Sequence, residues 1–459
     1  MPRRVAYVCS DELLAAADCL PANEGRASLV HSLCTSYGLL AGSHDPEDAV
    51  KSTARVVTPL RASREELTRF HDERFIDAIL GTAKDKQHGH GDSESSGASS
   101  EDDEAATPPS FGLERPASPS SSRPRKRRKA GESSIGLQDD CPVFPGLPDY
   151  VQLVAGASIA AARELRDGRA DVAISWTGGR HHAKRAEAAG FCYVADAVLA
   201  IQELRTAPKL ARPRSCSPIE SDSPPVLPRP HARITRVLYL DLDLHHGDGV
   251  ESAFFSSPNV LTLSLHLFAP LFFPASGALD STGPKSDKSA AAGQALNVAL
   301  EPGLGDEVFR RVWKTCIEKV VRACDPDAVV LQLGVDGLAG DPCKEWNLSL
   351  AAVGFALERA LTWDKPTLLL GGGGYHSANA ARAWTYLTSV ALGRPLSLDA
   401  PIPPDLPTAQ YEQFAPDFTL DVPAGHVPDR NSEETIARVE AAFATYAERL
   451  ARRKRPTAS

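Results

Sequence analysis

The sequence predicts an α/β domain, a single mostly parallel sheet covered by helices on both faces, and three observations predict it. Short apolar runs of strand length recur along the chain. Segments long enough for helices separate them, so the strands must be joined by crossovers, which run right-handed and leave the strands parallel. Only two stretches depart from this composition, so they interrupt one domain rather than divide two.

In chain order, residues 5–9 form a first buried strand; the apolar run after Arg3 and Arg4 is too short for a secretory signal. Helical patterns occupy 24–40 and 149–165, followed by strands at 171–176, 234–242 and 260–266. A helix at 306–323, a strand at 328–333, a helix at 349–361, a strand at 367–370 and a helix at 378–392 complete the alternation. The last helix, 432–453, opens on Ser432 with Glu433 and Glu434 and closes on Arg452, Arg453, Lys454 and Arg455, a charge order that complements the helix dipole. No internal repeat is visible. The domain is expected at 4–448, with a basic tail at 449–459.

The two interruptions fall at about 84–136 and about 207–232. The first is rich in Ser and Gly, turns acidic from Ser99 and Ser100 to Glu104, then basic from Arg123 to Lys129; the second is rich in Pro and Ser. Neither buries enough apolar surface to offset the entropy of ordering, so both are expected to be disordered surface loops.

Composition narrows the function. Over 459 residues, 50 Lys and Arg stand against 59 Asp and Glu, a net charge of −9, which argues against strong direct nucleic-acid binding by the whole chain. No apolar run approaches the roughly 20 residues of a membrane helix. Nine cysteines without a C-x-x-C spacing argue against a disulfide framework and a zinc knuckle, and suit a reducing, intracellular compartment.

Chemistry concentrates at predicted strand ends. The strand entering Asp241-Leu-Asp-Leu-His-His-Gly-Asp-Gly249 brings Asp241, Asp243 and His245 at period two, all expected on one side. Asp336 holds a similar place after the strand at 328–333. Clustered carboxylates beside apolar strands, with no Lys or Arg in the local motif, call for a compensating cation. Asp243, His245 and Asp336 are therefore candidate metal ligands; three protein ligands leave a position open, as catalytic sites do. The donor set suits Zn²⁺ and by ligand type also admits Fe²⁺ or Mn²⁺. His181 and His182 follow Gly178-Gly-Arg180 and serve as candidate acid/base groups, with Asp241 and Asp248 as carboxylate partners that would split their pKa values. Gly371 to Gly374 lack the G-K-[ST] of a phosphate loop and instead present Tyr375, a candidate O–H donor.

These motifs resemble a known family. His181-His-Ala-Lys184, Gly190-Phe-Cys-Tyr193, the Asp241–Gly249 run, Leu331-Gln-Leu-Gly-Val-Asp336, Ala339-Gly-Asp-Pro342 and Gly371–Tyr375 resemble class I histone deacetylases, most of all the type-eight branch. Arg26–Leu33, Phe70-His71, Asp140-Cys-Pro142 and Pro428–Asn431 extend the resemblance over 4–83, 137–206 and 233–448. It implies the arginase–deacetylase fold with eight parallel strands and hydrolysis of N-ε-acetyl-lysine in histones or other proteins, linked to transcriptional repression. It also implies that Gly190, Phe191, Phe273 and Cys343 line the substrate tunnel and that Asp140 holds the substrate backbone at the rim. A K⁺ is implied near Asp241 and Ser264 and the main-chain oxygens of Asp243, His245 and Leu265. Corepressor subunits are implied as partners, and the basic run Arg123–Lys129 reads as a nuclear import signal, placing the protein in the nucleus, with the cytoplasm as a second location.

Several positions depart from the family's pattern: Ala195 for Asn, Gly337 for Ser or Thr, His376 for Asn, Cys343 for Leu or Met, and an irregular stretch at 274–280. None removes a proposed ligand or acid/base group. They bear on rate and acyl preference, and keep open two alternatives: a deacetylase of acetyl-polyamines or longer acyl-lysines, and a non-catalytic corepressor subunit.

Overall fold

The computed structural model describes residues 3–41, 53–81, 135–208, 233–286 and 288–453. Most of both expected insertions, the import signal and Ser99-Ser100 lie outside them. Ile135, at the far end of the first expected insertion, accepts a hydrogen bond from Ala188 N at 3.0 Å.

Eight strands form one sheet: β1 (Val5–Val8), β2 (Arg55–Val57), β3 (Val172–Ser175), β4 (Val237–Asp241), β5 (Val260–Leu267), β6 (Ala295–Leu300), β7 (Ala328–Gln332) and β8 (Thr367–Leu370). Their order is β2-β1-β3-β8-β7-β4-β5-β6, and every pairing is parallel. Six of them coincide with the apolar runs expected as strands; the two edge strands do not. β2 is three residues of partly exposed chain, and Asn297 breaks the apolar run of β6, where its Nδ2 donates to Glu251 Oε2 at 2.9 Å.

Alternating strand residues feed two cores. Tyr7, Leu238, Leu240, Leu331 and Leu369 face one, beneath helices Arg26–Ser36, Leu350–Leu361, Ser377–Ala391 and Glu433–Ala451. Ala6, Tyr239, Val330 and Leu368 face the other, beneath Asp11–Asp18, Leu147–Arg166 and Asp196–Leu204. Each fully buried leucine here stabilises the fold by roughly 1.5–3 kcal/mol. Burial on both faces explains why the central strands read as unbroken apolar runs.

Local signals set the helix ends. Ser349 and Ser432 accept hydrogen bonds from Ala352 N and Thr435 N at 3.2 and 3.1 Å. The helix expected at 306–323 is instead Asp306–Val312 and Glu318–Cys324 joined by a π-helical turn, Trp313–Ile317. That turn carries Trp313, fully buried and stacked on Trp363 with ring centroids 5.9 Å apart.

Candidate active site

Four adjacent strands, β3, β8, β7 and β4, deliver the site, because a parallel sheet opens all its C-terminal ends on one edge. The turn after β3 carries His181 and His182, the loop after β4 carries Asp243, His245 and Asp248, and Asp336 follows β7. The glycine loop and Tyr375 follow β8. The period-two reading of β4 needs correcting. The strand stops at Asp241, so Asp243 and His245 stand on the loop beyond, placed by backbone bonds: Asp243 N to Asp241 Oδ1 at 3.2 Å and His245 N to Asp243 Oδ1 at 3.0 Å.

Three donor atoms converge. His245 Nδ1 lies 3.2 Å from Asp243 Oδ1 and 2.9 Å from Asp336 Oδ2. The remaining carboxylate oxygens are occupied elsewhere: Asp243 Oδ2 accepts from Gln332 Nε2 and Gly373 N at 2.9 and 2.8 Å, and Asp336 Oδ1 from Leu244 N at 2.9 Å. This division leaves one oxygen of each acid facing one common point, the ring nitrogen His245 Nδ1. Burial and then the neighbouring Asp243 raise Asp336 well above the usual carboxylate range. Burial also opposes ionisation of Asp243, yet the His181 and His245 charges hold its carboxyl well below the usual range. Two buried acids so close conflict unless a cation joins them, and the donor set fits a divalent metal.

The two histidines lie beside this cluster with ring centroids 3.9 Å apart. His181 Nδ1 is 2.9 Å from Asp241 Oδ2, which also accepts from Tyr239 Oη at 2.7 Å; His182 Nδ1 is 2.8 Å from Asp248 Oδ1. Burial pulls His181 down, but Asp241 and Asp243 outweigh it and raise the ring to about 9. Burial and then the adjacent His181 push His182 down to about 3. The pair is split, one ring charged and one neutral near pH 7. For Tyr375, burial and then the Asp336 and Asp243 carboxylates raise the phenol well above its usual value, so it stays a donor.

Two aromatic rings pack against these groups. Phe273 packs edge-on against His182 at 4.8 Å between centroids, and Phe191 against Tyr375 at 5.8 Å. Between them, Gly190 donates its N–H to Asp140 Oδ2 at 2.6 Å. A Cβ on Gly190 would stand 2.4 Å from His182 Cδ2 and 3.0 Å from Phe273 Cε1, so no side chain fits. Asp140 is half-buried, and Cys343 is half-buried near His245 and Asp336. Ser264 is opposite Asp241 in the β4–β5 register, its Oγ 2.9 Å from His266 Nδ1, and Leu265 follows it, fully buried.

Several supporting residues carry no role in the sequence-based expectations. Gln332 is one, although a polar residue inside the apolar run of β7 was a legible signal. Arg26 donates to Gly374 O and Gly372 O at 2.7 and 3.2 Å, pinning the glycine loop. Phe272 stacks on His245, with centroids 5.0 Å apart. Asp341 accepts from Cys343 N on one oxygen and Tyr375 N on the other, at 3.0 and 2.8 Å. The last three depend on contacts between distant segments, which no local pattern announces.

A model of the histone deacetylase domain matches residues 20–212 and 227–391. The chain belongs to the histone deacetylase family. Histone deacetylase 8 of Danio rerio is 37% identical over 437 residues, covering 95% of this chain and 93% of that protein. Histone deacetylase 8 of Xenopus tropicalis is 37% identical over 416 residues, covering 90% and 89%, and probable histone deacetylase 1-A of Xenopus laevis is 33% identical over 421 residues, covering 92% and 70%. These likenesses make the protein a metal-dependent deacetylase hydrolase of the class I kind.

Within the deacetylase, two departures from the family's pattern, Gly337 and His376, have structural reasons. Gly337 makes room for Trp346: a Cβ there would lie 2.9 Å from Trp346 Cε3. His376 takes over helix capping, its Nδ1 accepting from Asn379 N at 3.2 Å. In the irregular stretch, Ser276 Oγ lies 2.8 Å from His246 Nδ1, and Gly277 O lies 3.0 Å from His266 Nε2. Ala195 N donates to His71 Nε2 at 3.0 Å.

Proposed function

We propose that this deacetylase hydrolyses N-ε-acetyl-lysine in histones or other proteins with one Zn²⁺ held by Asp243 Oδ1, His245 Nδ1 and Asp336 Oδ2. The observation that carries the reading is the convergence of these three atoms while every other carboxylate oxygen is engaged elsewhere. When bound, the ion supplies Lewis acidity toward the acetyl carbonyl and a water of lowered pKa.

The chain's own groups complete the reaction. Phe191 and Phe273 flank the aliphatic stem of the lysine and exclude water, and Gly190 leaves space for it. Asp140 accepts from the substrate backbone at the rim. His182, kept neutral, takes a proton from the attacking water; His181, kept charged by Asp241, stabilises the negative charge that develops. Tyr375 donates its O–H to the oxyanion. The leaving amine recovers a proton from the His181–His182 pair. A K⁺ near Asp241 and Ser264, with main-chain oxygens of Asp243, His245 and Leu265, would stiffen the Asp241 side of this pair. Fe²⁺ satisfies the same donor types as Zn²⁺. Partners are acetylated proteins and corepressor subunits, and the basic run Arg123–Lys129 directs the protein to the nucleus.

The test is metal analysis of the purified protein together with turnover of acetyl-lysine peptides, acetyl-polyamines and longer acyl-lysine peptides, with and without K⁺. One zinc per chain and preferred turnover of acetyl-lysine peptides are expected. A metal-loaded protein that turns over none of the three substrates would defeat the enzymatic reading, and preference for polyamines or longer acyl groups would change the substrate.

A further inference from the structure

We infer that Cys343 supplies a fourth protein donor to the metal when no substrate fills the channel, an inference that rests on Asp243, His245 and Asp336 being the other three. The Sγ of Cys343, a ring nitrogen of His245 and a carboxylate oxygen of Asp336 all lie within 4.8 Å of one another. In a tetrahedral site with metal–sulfur and metal–nitrogen bonds of about 2.3 and about 2.0 Å, sulfur and nitrogen stand about 3.5 Å apart. The Cys343 sulfur and the His245 nitrogen therefore need to close by about 1.3 Å at most.

The backbone around the thiol is built to hold it there. Asp341 Oδ1 accepts from Cys343 N at 3.0 Å while Asp341 Oδ2 accepts from Tyr375 N at 2.8 Å, so one carboxylate ties the thiol's loop to the loop of the proposed oxyanion donor. Lys344 follows in the left-handed region, with φ of 56°, and turns the chain away immediately after the cysteine. The side chain packs against the apolar core on one side and faces the metal donors on the other.

When the metal is bound, Cys343 would serve as its fourth protein donor as a thiolate, and the S–H proton would pass to solvent. The thiolate is soft, so it favours Zn²⁺ over ions that prefer oxygen. Entry of an acyl-lysine displaces the sulfur, which makes the four-donor form a resting state of the enzyme.

The experiment replaces the native ion with Co²⁺ in the full-length protein and records its absorption. One cobalt per chain is expected, with ligand-field bands in the visible and a thiolate-to-cobalt charge-transfer band in the near ultraviolet. Cys343→Ala should retain the cobalt and the visible bands and lose the near-ultraviolet band; Cys343→Leu, which refills the apolar volume, should do the same if the alanine protein is unstable. A catalytically silent acetyl-lysine analogue should weaken the band in the wild-type protein. Stoichiometric cobalt without a charge-transfer band in the wild type, or a band that persists in Cys343→Ala and Cys343→Leu, would overturn the role of Cys343 and leave the three-ligand site standing. Failure of wild type and variants alike to bind cobalt would remove the three-ligand site and this inference with it.

Discussion

Gln332 Nε2 donates to Asp243 Oδ2 across 2.9 Å, joining the end of β7 to the loop after β4. The amide is fully buried, and its Oε1 also accepts from Gly334 N at 2.9 Å. Gln332 thus sets the orientation of a proposed metal ligand that stands on another strand's loop. Partners that orient ligands in this way typically account for about 10–100-fold in metal affinity. Gln332→Leu is expected to weaken zinc binding by that factor in a competitive chelator titration. An unchanged affinity would show that Gly373 N alone holds the carboxylate.

Tyr375→Phe removes only an O–H, and His182→Ala only the neutral ring beside Asp248. Turnover of an acetyl-lysine peptide should fall by about 10²–10³-fold in the first and about 10²–10⁴-fold in the second. Zinc content should stay at the wild-type level in both. Wild-type turnover in either variant would void the role given to that residue.

His71 predicts how stability depends on acidity. Its Nε2 accepts from Ala195 N at 3.0 Å and its Nδ1 lies 3.2 Å from Arg185 O, an arrangement that needs the neutral ring. Burial pushes its pKa down to about 4. The unfolded chain takes up a proton near pH 6.5 that the folded protein refuses, so stability is intact above that value. It falls as pH drops through 6.5 and levels out below about 4, a loss of about 3 kcal/mol from this group. His71→Gln should be less stable at pH 7 but lose less on acidification. Parallel curves of melting temperature against pH, wild type and variant, would contradict this.

Gly337→Ser restores the residue usual in the family, yet it is expected to destabilise this protein. Its Cβ would press to within 2.9 Å of the buried Trp346 ring. Overpacking of that kind costs about 1–3 kcal/mol. A lowered midpoint in denaturant is the expected result, and a smaller ring in Gly337→Ser/Trp346→Phe should recover part of it. A serine variant as stable as the wild type would mean that the ring shifts freely.

Much of the fold was legible because burial on both sheet faces writes itself into the chain as apolar runs such as those of β4 and β7, separated by helix-length segments. The edge strands β2 and β6 were not, since one is short and half-exposed and the other carries Asn297 for a side-chain bond. In the site, Asp243, His245, Asp336 and the histidine pair were visible as polar residues placed just beyond apolar strands. The sequence by itself determined which chemical groups are available, their order along the chain and the kind of sheet that gathers them, because residue type and period depend only on neighbours along the backbone. Only the tertiary structure decided which oxygen of each carboxylate faces the common point, why His181 and His182 part in pKa, and that Arg26, Gln332 and Asp341 hold the loops in place. Those outcomes depend on burial and on hydrogen bonds between segments far apart in sequence, whose distances are set only when the strands take their places in the sheet.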